Sequence, residues 1–293
     1  MTFSATDAAF EGFRVTRRHP GGVLAWAGVM LVGNFLSAWA IGHLAGADWA
    51  AFEAQVKAAD PDPATMAALA GRIAPAALVS GAVQVVAAAM VNTSILRTLL
   101  RPERRVTLRF GRDELRVVGL FLAFFGVSVV ASLVIGVVTG AAGDTFATFA
   151  GFAATVLLFI RFSLAGPMTI ADHRFHFWES WKATKGWFFV LLGSMALGAA
   201  LCAVVAVLAN MVFFFSGAAI MTASGGNPMT DLAGLFSPDF SSPAKLLSLG
   251  PLLYVSFISV LYALVLVILI GPPVELYRYL NRETVVETFG PDA

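Results

Sequence analysis

Apolar residues gather into six runs along this chain, at roughly 22–43, 74–98, 116–139, 147–171, 187–210 and 250–272, and the segments between them hold nearly all the charge. A helix rising about 1.5 Å per residue needs about 20 residues to cross a bilayer core of about 30 Å, and every run reaches that length. The pattern predicts an all-α, polytopic membrane helical bundle of six transmembrane helices with short interfacial helices, forming a single integral membrane domain over residues 1–293. Six being even, both termini are expected on one side.

Between the spans, residues 44–73 carry Asp48, Glu53, Asp60 and Asp62 in an Ala-rich stretch that suits an amphipathic helix. Residues 222–249 hold Gly225, Gly226, Pro228, Pro238 and Pro243, the composition of an irregular loop, ending in a short helix at Ala244–Leu249. Neither is patterned as a folded domain, and no appended soluble catalytic domain is expected. Met1–Pro20 mixes acids with Arg14, Arg17, Arg18 and His19, unlike a cleaved leader, so the first span is expected to be retained.

Composition agrees with a membrane solvent: 58% of residues are hydrophobic and 13% charged, against roughly 25% charged in soluble chains. Disorder, collagen, coiled coil and a disulfide scaffold are excluded, since Cys202 is the one cysteine. A net charge of +1 lacks the excess basicity of a nucleic-acid binder, so no nucleic-acid partner is expected.

The distribution of basic residues is lopsided where the total is bland. Three precede the first span, seven lie between the second and third (Arg97, Arg101, Arg104, Arg105, Arg109, Arg112 and Arg116), four accompany the fourth loop (Arg161, Arg174, Lys182 and Lys185) and two follow the last span (Arg278 and Arg282). The opposite side keeps Lys57, Arg72 and Lys245. Cytoplasmic loops retain Lys and Arg, so both termini are expected in the cytoplasm of a bacterial cell whose inner membrane the chain crosses.

One octet recurs. Phe10-Glu11-Gly12-Phe13-Arg14-Val15-Thr16-Arg17 matches Trp178-Glu179-Ser180-Trp181-Lys182-Ala183-Thr184-Lys185 position by position as aromatic, acid, small, aromatic, basic, small or branched apolar, Thr, basic. Each octet stands just before an outward-going span, and Asp113-Glu114-Leu115-Arg116 before the third span keeps a fragment of it. This layout implies three parallel two-helix repeats, pairing spans one with two, three with four and five with six. Trp178, Trp181 and Trp187 within ten positions suit a short helix lying at the lipid interface and turning at Gly186 into the fifth span.

Arg161-Phe162-Ser163-Leu164-Ala165-Gly166-Pro167, followed by Ser180-Trp181-Lys182-Ala183-Thr184-Lys185-Gly186, resembles the signature of a bacterial group of six-span inner-membrane proteins. That group includes the membrane domain ahead of the catalytic domain in some glycerophosphoryl diester phosphodiesterases, as well as stand-alone membrane proteins. The resemblance implies a fold and a compartment. The phosphodiesterase activity is not carried with it, because those enzymes use His, Glu and Asp groups around a metal in a separate soluble barrel.

Arg161 is the basic residue stranded within a span, where a guanidinium either snorkels toward headgroup phosphates or pairs inside the bundle, with Glu179 as the expected partner across the turn. Asp172, His173, His176 and Glu179 have a spacing that some metal sites use, but beside Trp and Phe at an interface they read as headgroup-solvated, and neither metal nor cofactor is expected. The arginines of 97–116 set topology and attract anionic lipid weakly. Within the spans, Asn34, His43, Gln84, Asn92 and Asn210 either bond neighbouring helices or line a path, and Gly42/Gly46, Gly136/Gly140 and Ser194/Gly198/Cys202/Ala206 supply small faces for helix packing. Gly166-Pro167 and Gly271-Pro272-Pro273 are expected to break or kink the fourth and sixth spans.

Walker loop, dinucleotide fingerprint and nucleophile elbow are absent. The expected role is that of a non-enzymatic, multi-pass membrane scaffold or lipid-associated accessory protein. Its headgroup or partner site is expected at Arg161, Trp178, Glu179, Trp181, Lys182 and Lys185, with anionic lipid, another membrane protein or a second copy as partner. A transporter or lipid translocator is the alternative, and a membrane domain tied to glycerophosphodiester metabolism the third.

Overall fold

The computed structural model describes residues 3–58, 60–101, 106–139, 144–223 and 243–289. It is all-α, with no strand among the described residues. The helices are α1 (Ala5–Arg18), α2 (Pro20–Val56), α3 (Pro63–Leu100), α4 (Arg112–Thr139), α5 (Asp144–Arg161), α6 (Ala165–Asp172), α7 (Trp178–Ala183), α8 (Phe188–Ala223), α9 (Pro243–Leu246) and α10 (Leu249–Phe289). Six segments are long and apolar enough to cross a membrane: Pro20–Val56, Pro63–Leu100, Arg112–Val137, Thr148–Asp172, Phe188–Ile220 and Leu249–Arg282. This is a multi-pass membrane protein.

Local chemistry explains where the helices begin and stop. Ser4 caps α1 by accepting the Asp7 N–H at 3.2 Å. Asp62 caps α3, accepting from the amides of Ala64 (3.2 Å) and Thr65 (3.1 Å), and Pro63 follows at the first helical position, where a missing N–H costs nothing. In the turn between α7 and α8, Gly186 takes φ +91°, a conformation that strains any side chain.

The expected amphipathic helix in 44–73 is instead the adjoining ends of two long helices. α2 continues to Val56 across a non-helical Ala45, and α3 starts at Pro63. Of the loop expected at 222–249, residues 224–242 lie outside the described residues, and the short helix at its end is α9.

The two expected proline breaks behave differently. The fourth span breaks at 162–164, ahead of Gly166-Pro167, because Pro167 has no N–H for the Ser163 carbonyl and its ring crowds that oxygen. The proline then sits in the first turn of α6. α10 runs unbroken through Pro272 and Pro273 to Phe289, which corrects the expected break there. Gly271 serves contact instead. A Cβ on Gly12 would fall 2.5 Å from the Ile268 Cα, and one on Gly271 would fall 2.9 Å from the Gly12 backbone nitrogen, so α1 lies backbone to backbone on α10.

The chain divides into two compact units, one of Met1–Pro20, Ala89–Cys202 and Val265–Ala293, the other of Gly21–Ala88 and Ala203–Leu264. The second unit is held by close helix faces and a polar bridge. Asn34 Nδ2 donates to Ser259 Oγ (2.9 Å) and Gln84 Nε2 donates to Asn34 Oδ1 (2.7 Å), tying α2, α3 and α10. These side chains bond neighbouring helices, the packing role open to intramembrane amides. Nearby, a Cβ on Gly33 would lie 2.7 Å from the Ala87 Cβ. Asn210 bonds the Ala206 carbonyl of its own helix (2.8 Å), and His43 stacks on Trp39.

Within the first unit, Ser194, Gly198 and Cys202 of α8 are buried along one face, with the Cys202 thiol 3.9 Å from the Val265 carbonyl of α10. Gly136, by contrast, is exposed and meets nothing within 4 Å, so the expected Gly136/Gly140 packing face is not used by the chain itself; Gly140 lies outside the described residues.

Candidate functional site

The first unit concentrates the charged side chains around helix ends, and the repeated octet organises them. In α1, Thr16 Oγ1 donates to the Gly12 carbonyl at 2.9 Å; in α7, Thr184 Oγ1 donates to the Ser180 carbonyl at 3.0 Å. Matching positions therefore do matching work. Gly12 and Ser180, the small residues of the two octets, are both buried. The third fragment shares the ionic half of the pattern. Arg14 meets Glu11 at 3.3 Å and Arg116 meets Asp113 at 2.5 Å, each three residues apart.

An arginine from another helix closes two of these sites. Arg97 of α3 forks its guanidinium onto Asp113 (2.9 Å) and Glu114 (2.6 Å) of α4, and Arg278 of α10 reaches Glu11 of α1 (3.3 Å) and Glu275 (3.0 Å). Glu114 is wholly buried and Asp113 is 7% exposed, so Arg97 supplies the charge that keeps two carboxylates tolerable out of water. Asp113 also accepts His173 Nδ1 at 3.1 Å. In α1 the hydrogen bond to Asp7, ahead of the contact with Glu11, pushes the Arg14 guanidinium above its ordinary value.

Arg161 departs from the scheme. It stands at the end of α5 ahead of Glu179, as Arg97 stands near the end of α3 ahead of Asp113 and Glu114, yet Arg161 and Glu179 form no ion pair. Glu179 stands exposed, 3.9 Å from His176, and the Arg161 guanidinium lies over the rings of Trp181 (5.4 Å) and Phe188 (5.3 Å). The expected Arg161–Glu179 pair is thus corrected. α7 turns its exposed acid away because its opposite face is held down: Ser180 Oγ donates to the Arg161 carbonyl at 2.8 Å, with Thr184 Oγ1 3.4 Å from the same oxygen. That carbonyl, left without a helical partner where α5 ends, is what the Ser and Thr of the second octet satisfy. Arg161 Nε is buried and has no hydrogen-bond partner.

Among the other expected site residues, Trp178 packs against Phe177 (5.3 Å) and Phe162 (5.9 Å) within a stack in which Phe162 and Phe177 lie 4.1 Å apart. Lys182 and Lys185 are exposed. The structure joins Arg161 to Trp181 and leaves Trp178, Glu179, Lys182 and Lys185 on the surface of the same helix and turn. His176 stands 3.2 Å from Asp172 and 3.9 Å from Glu179, and neither ring nitrogen makes a hydrogen bond. Among the described residues no group of three or more His, Cys, Asp or Glu is arranged to hold a metal.

A feature not apparent in the sequence is a cavity of about 470 Å³ lined by Arg97, Arg101, Arg109, Arg278, Arg282 and His173. It lies at the ends of α3 and α6 and beside residues 277–282 of α10, with the segment before α4 along its side. The one signal in the sequence is the equal spacing of Arg97/Arg101 and Arg278/Arg282, four residues apart, which sets each pair on one helix face. No family model matches this chain, and neither the curated proteins nor the solved structures give a significant match.

Proposed function

We propose that this chain is a non-enzymatic, lipid-associated scaffold of the bacterial inner membrane, with both termini in the cytoplasm and a headgroup site at Arg161. Membership in the six-span group that its Arg161–Pro167 and Ser180–Gly186 motifs resemble belongs to the same proposal. The observation that carries it is the unpaired guanidinium of Arg161. At the end of an apolar helix, a charge without a carboxylate partner is costly unless it reaches phosphate or water, and the rings of Trp181 and Phe188 hold this one in place. Exposed Trp178, Lys182 and Lys185 extend the same surface with groups that favour the lipid interface.

Lipids retained after mild detergent extraction test the reading. Arg161→Ala and Trp181→Ala, inserted and folded like the parent, lose anionic phospholipid. Unchanged lipid retention and unchanged partner pull-down in both variants sink the proposal. Of the helix breaks that would favour a translocator, the one at Pro272 is absent, so that alternative gains nothing from α10.

A further inference from the structure

The arginine cavity differs from the Arg161 surface in position and composition. Of its five arginines, Arg97 and Arg278 are each held by two carboxylates behind them. Arg101, Arg109 and Arg282 make no ion pair among the described residues, and no carboxylate is among the described lining residues. Three arginines with no ion pair among the described residues thus line a common space, beside His173, which is bonded to Asp113. Like charges gathered around a cavity repel one another, and an anion bound there relieves that repulsion.

We propose that this cavity binds a ligand carrying a terminal phosphate dianion or a pyrophosphate. Arginines supply much of the cavity lining, and a guanidinium fork matches phosphate oxygens bidentately. A phosphomonoester carries about −1.5 to −2 at neutral pH, closer to the uncompensated charge than a single carboxylate. Thr107 and Asn281 add neutral polar groups, while Ile170, Ala171 and Leu100 form an apolar wall that suits an organic remainder. A volume of about 470 Å³ accommodates a small phosphorylated molecule or the headgroup of a phosphomonoester lipid. Arg97 and Arg278 position the site: their carboxylate anchors hold α3 to α4 and α10 to α1, fixing the stretches of chain that carry Arg101 and Arg282.

The cavity shares no side chain with the Arg161–Trp181 pair, so either proposal can fail alone. The test uses the full chain purified in mild detergent, with pyrophosphate titrated at constant ionic strength. In parallel, the chain is reconstituted in phosphatidylcholine with and without phosphatidic acid, and retained lipid is measured. The double variant Arg101→Gln/Arg282→Gln and the single variant Arg109→Gln alter exposed arginines with no ion pair among the described residues, and their thermal unfolding is compared with the parent's. Arg18→Gln, on exposed α1 surface outside the cavity, is the control. We expect pyrophosphate affinity to fall about tenfold or more in the double variant and less in Arg109→Gln, with Arg18→Gln unchanged. Loss of phosphatidic acid retention in the double variant, without pyrophosphate binding by the parent, supports the same site with a lipid headgroup as its occupant. Binding of neither probe by the folded parent overturns the proposal, as does equal binding by the double variant and the parent.

Discussion

The Arg97 guanidinium donates to the Glu114 carboxylate at 2.6 Å, and that carboxylate is wholly buried. Seventeen residues separate the two in sequence, and the same guanidinium reaches Asp113 through its second nitrogen. Arginine is suited to this place because its planar fork reaches two acids at once, which a lysine ammonium does with poorer geometry.

Removing Arg97 therefore destabilises the chain through the acids it leaves behind. Arg97→Ala is expected to cost about 3–5 kcal/mol, the usual penalty for stranding a buried charge, and Arg97→Lys is expected to fall between it and the parent. Thermal unfolding in detergent, followed by intrinsic fluorescence, measures both. Arg97→Ala melting with the parent would show that water already reaches Glu114.

The crossing of α1 over α10 depends on two glycines. Gly12→Ala places a Cβ where the Ile268 Cα and the Val267 carbonyl already stand, so α1 must lift, at roughly 1–3 kcal/mol for an overpacked site. Trypsin should then cut after Arg14, Arg17 or Arg18 faster than in the parent. Gly28→Ala, with nothing within 4 Å of its Cβ, is the matched control and should cut at the parental rate.

The hydroxyl of Ser180 caps the end of α5. Ser180→Ala removes the bond to the Arg161 carbonyl from a fully buried position and should destabilise by about 1 kcal/mol. Since Trp181 moves with α7, the variant's tryptophan emission should shift as well. A parental melting temperature and spectrum together would place water at that carbonyl.

A pH effect is expected at the start of α3. The Thr65 hydroxyl, then the Thr65 and Ala64 amides, hold the Asp62 carboxyl below its ordinary value. A depressed folded-state pKa contributes stability that is fully present above the unfolded value and lost as pH falls through the folded one. The first turn of α3 should accordingly fray below the usual carboxylate range, seen as faster hydrogen exchange at the Ala64 and Thr65 amides. Asp62→Ala should exchange fast at every pH and lose the dependence.

The repeated octet shows how far sequence reading carried and where it stopped. Its period and polarity marked Gly12 and Ser180 as equivalent, and both are buried, with matching threonine bonds four residues on. Arg161, a charge within a span, was expected to pair with Glu179 across the turn. The pairing failed at the second octet because Ser180 and Thr184 dock one face of α7 on the Arg161 carbonyl, which turns Glu179 outward.

Two properties were legible in the sequence alone: six spans, and the lopsided distribution of basic residues among the segments between them. Both follow from local transfer free energies, which sum along a helix without regard to its neighbours. Tertiary structure alone decided that Gly271 is a crossing point, that α10 passes through its prolines, and that five arginines meet around one cavity. Arg278 and Glu11 are 267 residues apart. A charge pair or an anion site depends on where side chains converge in space, and hydropathy along the chain carries no term for that convergence.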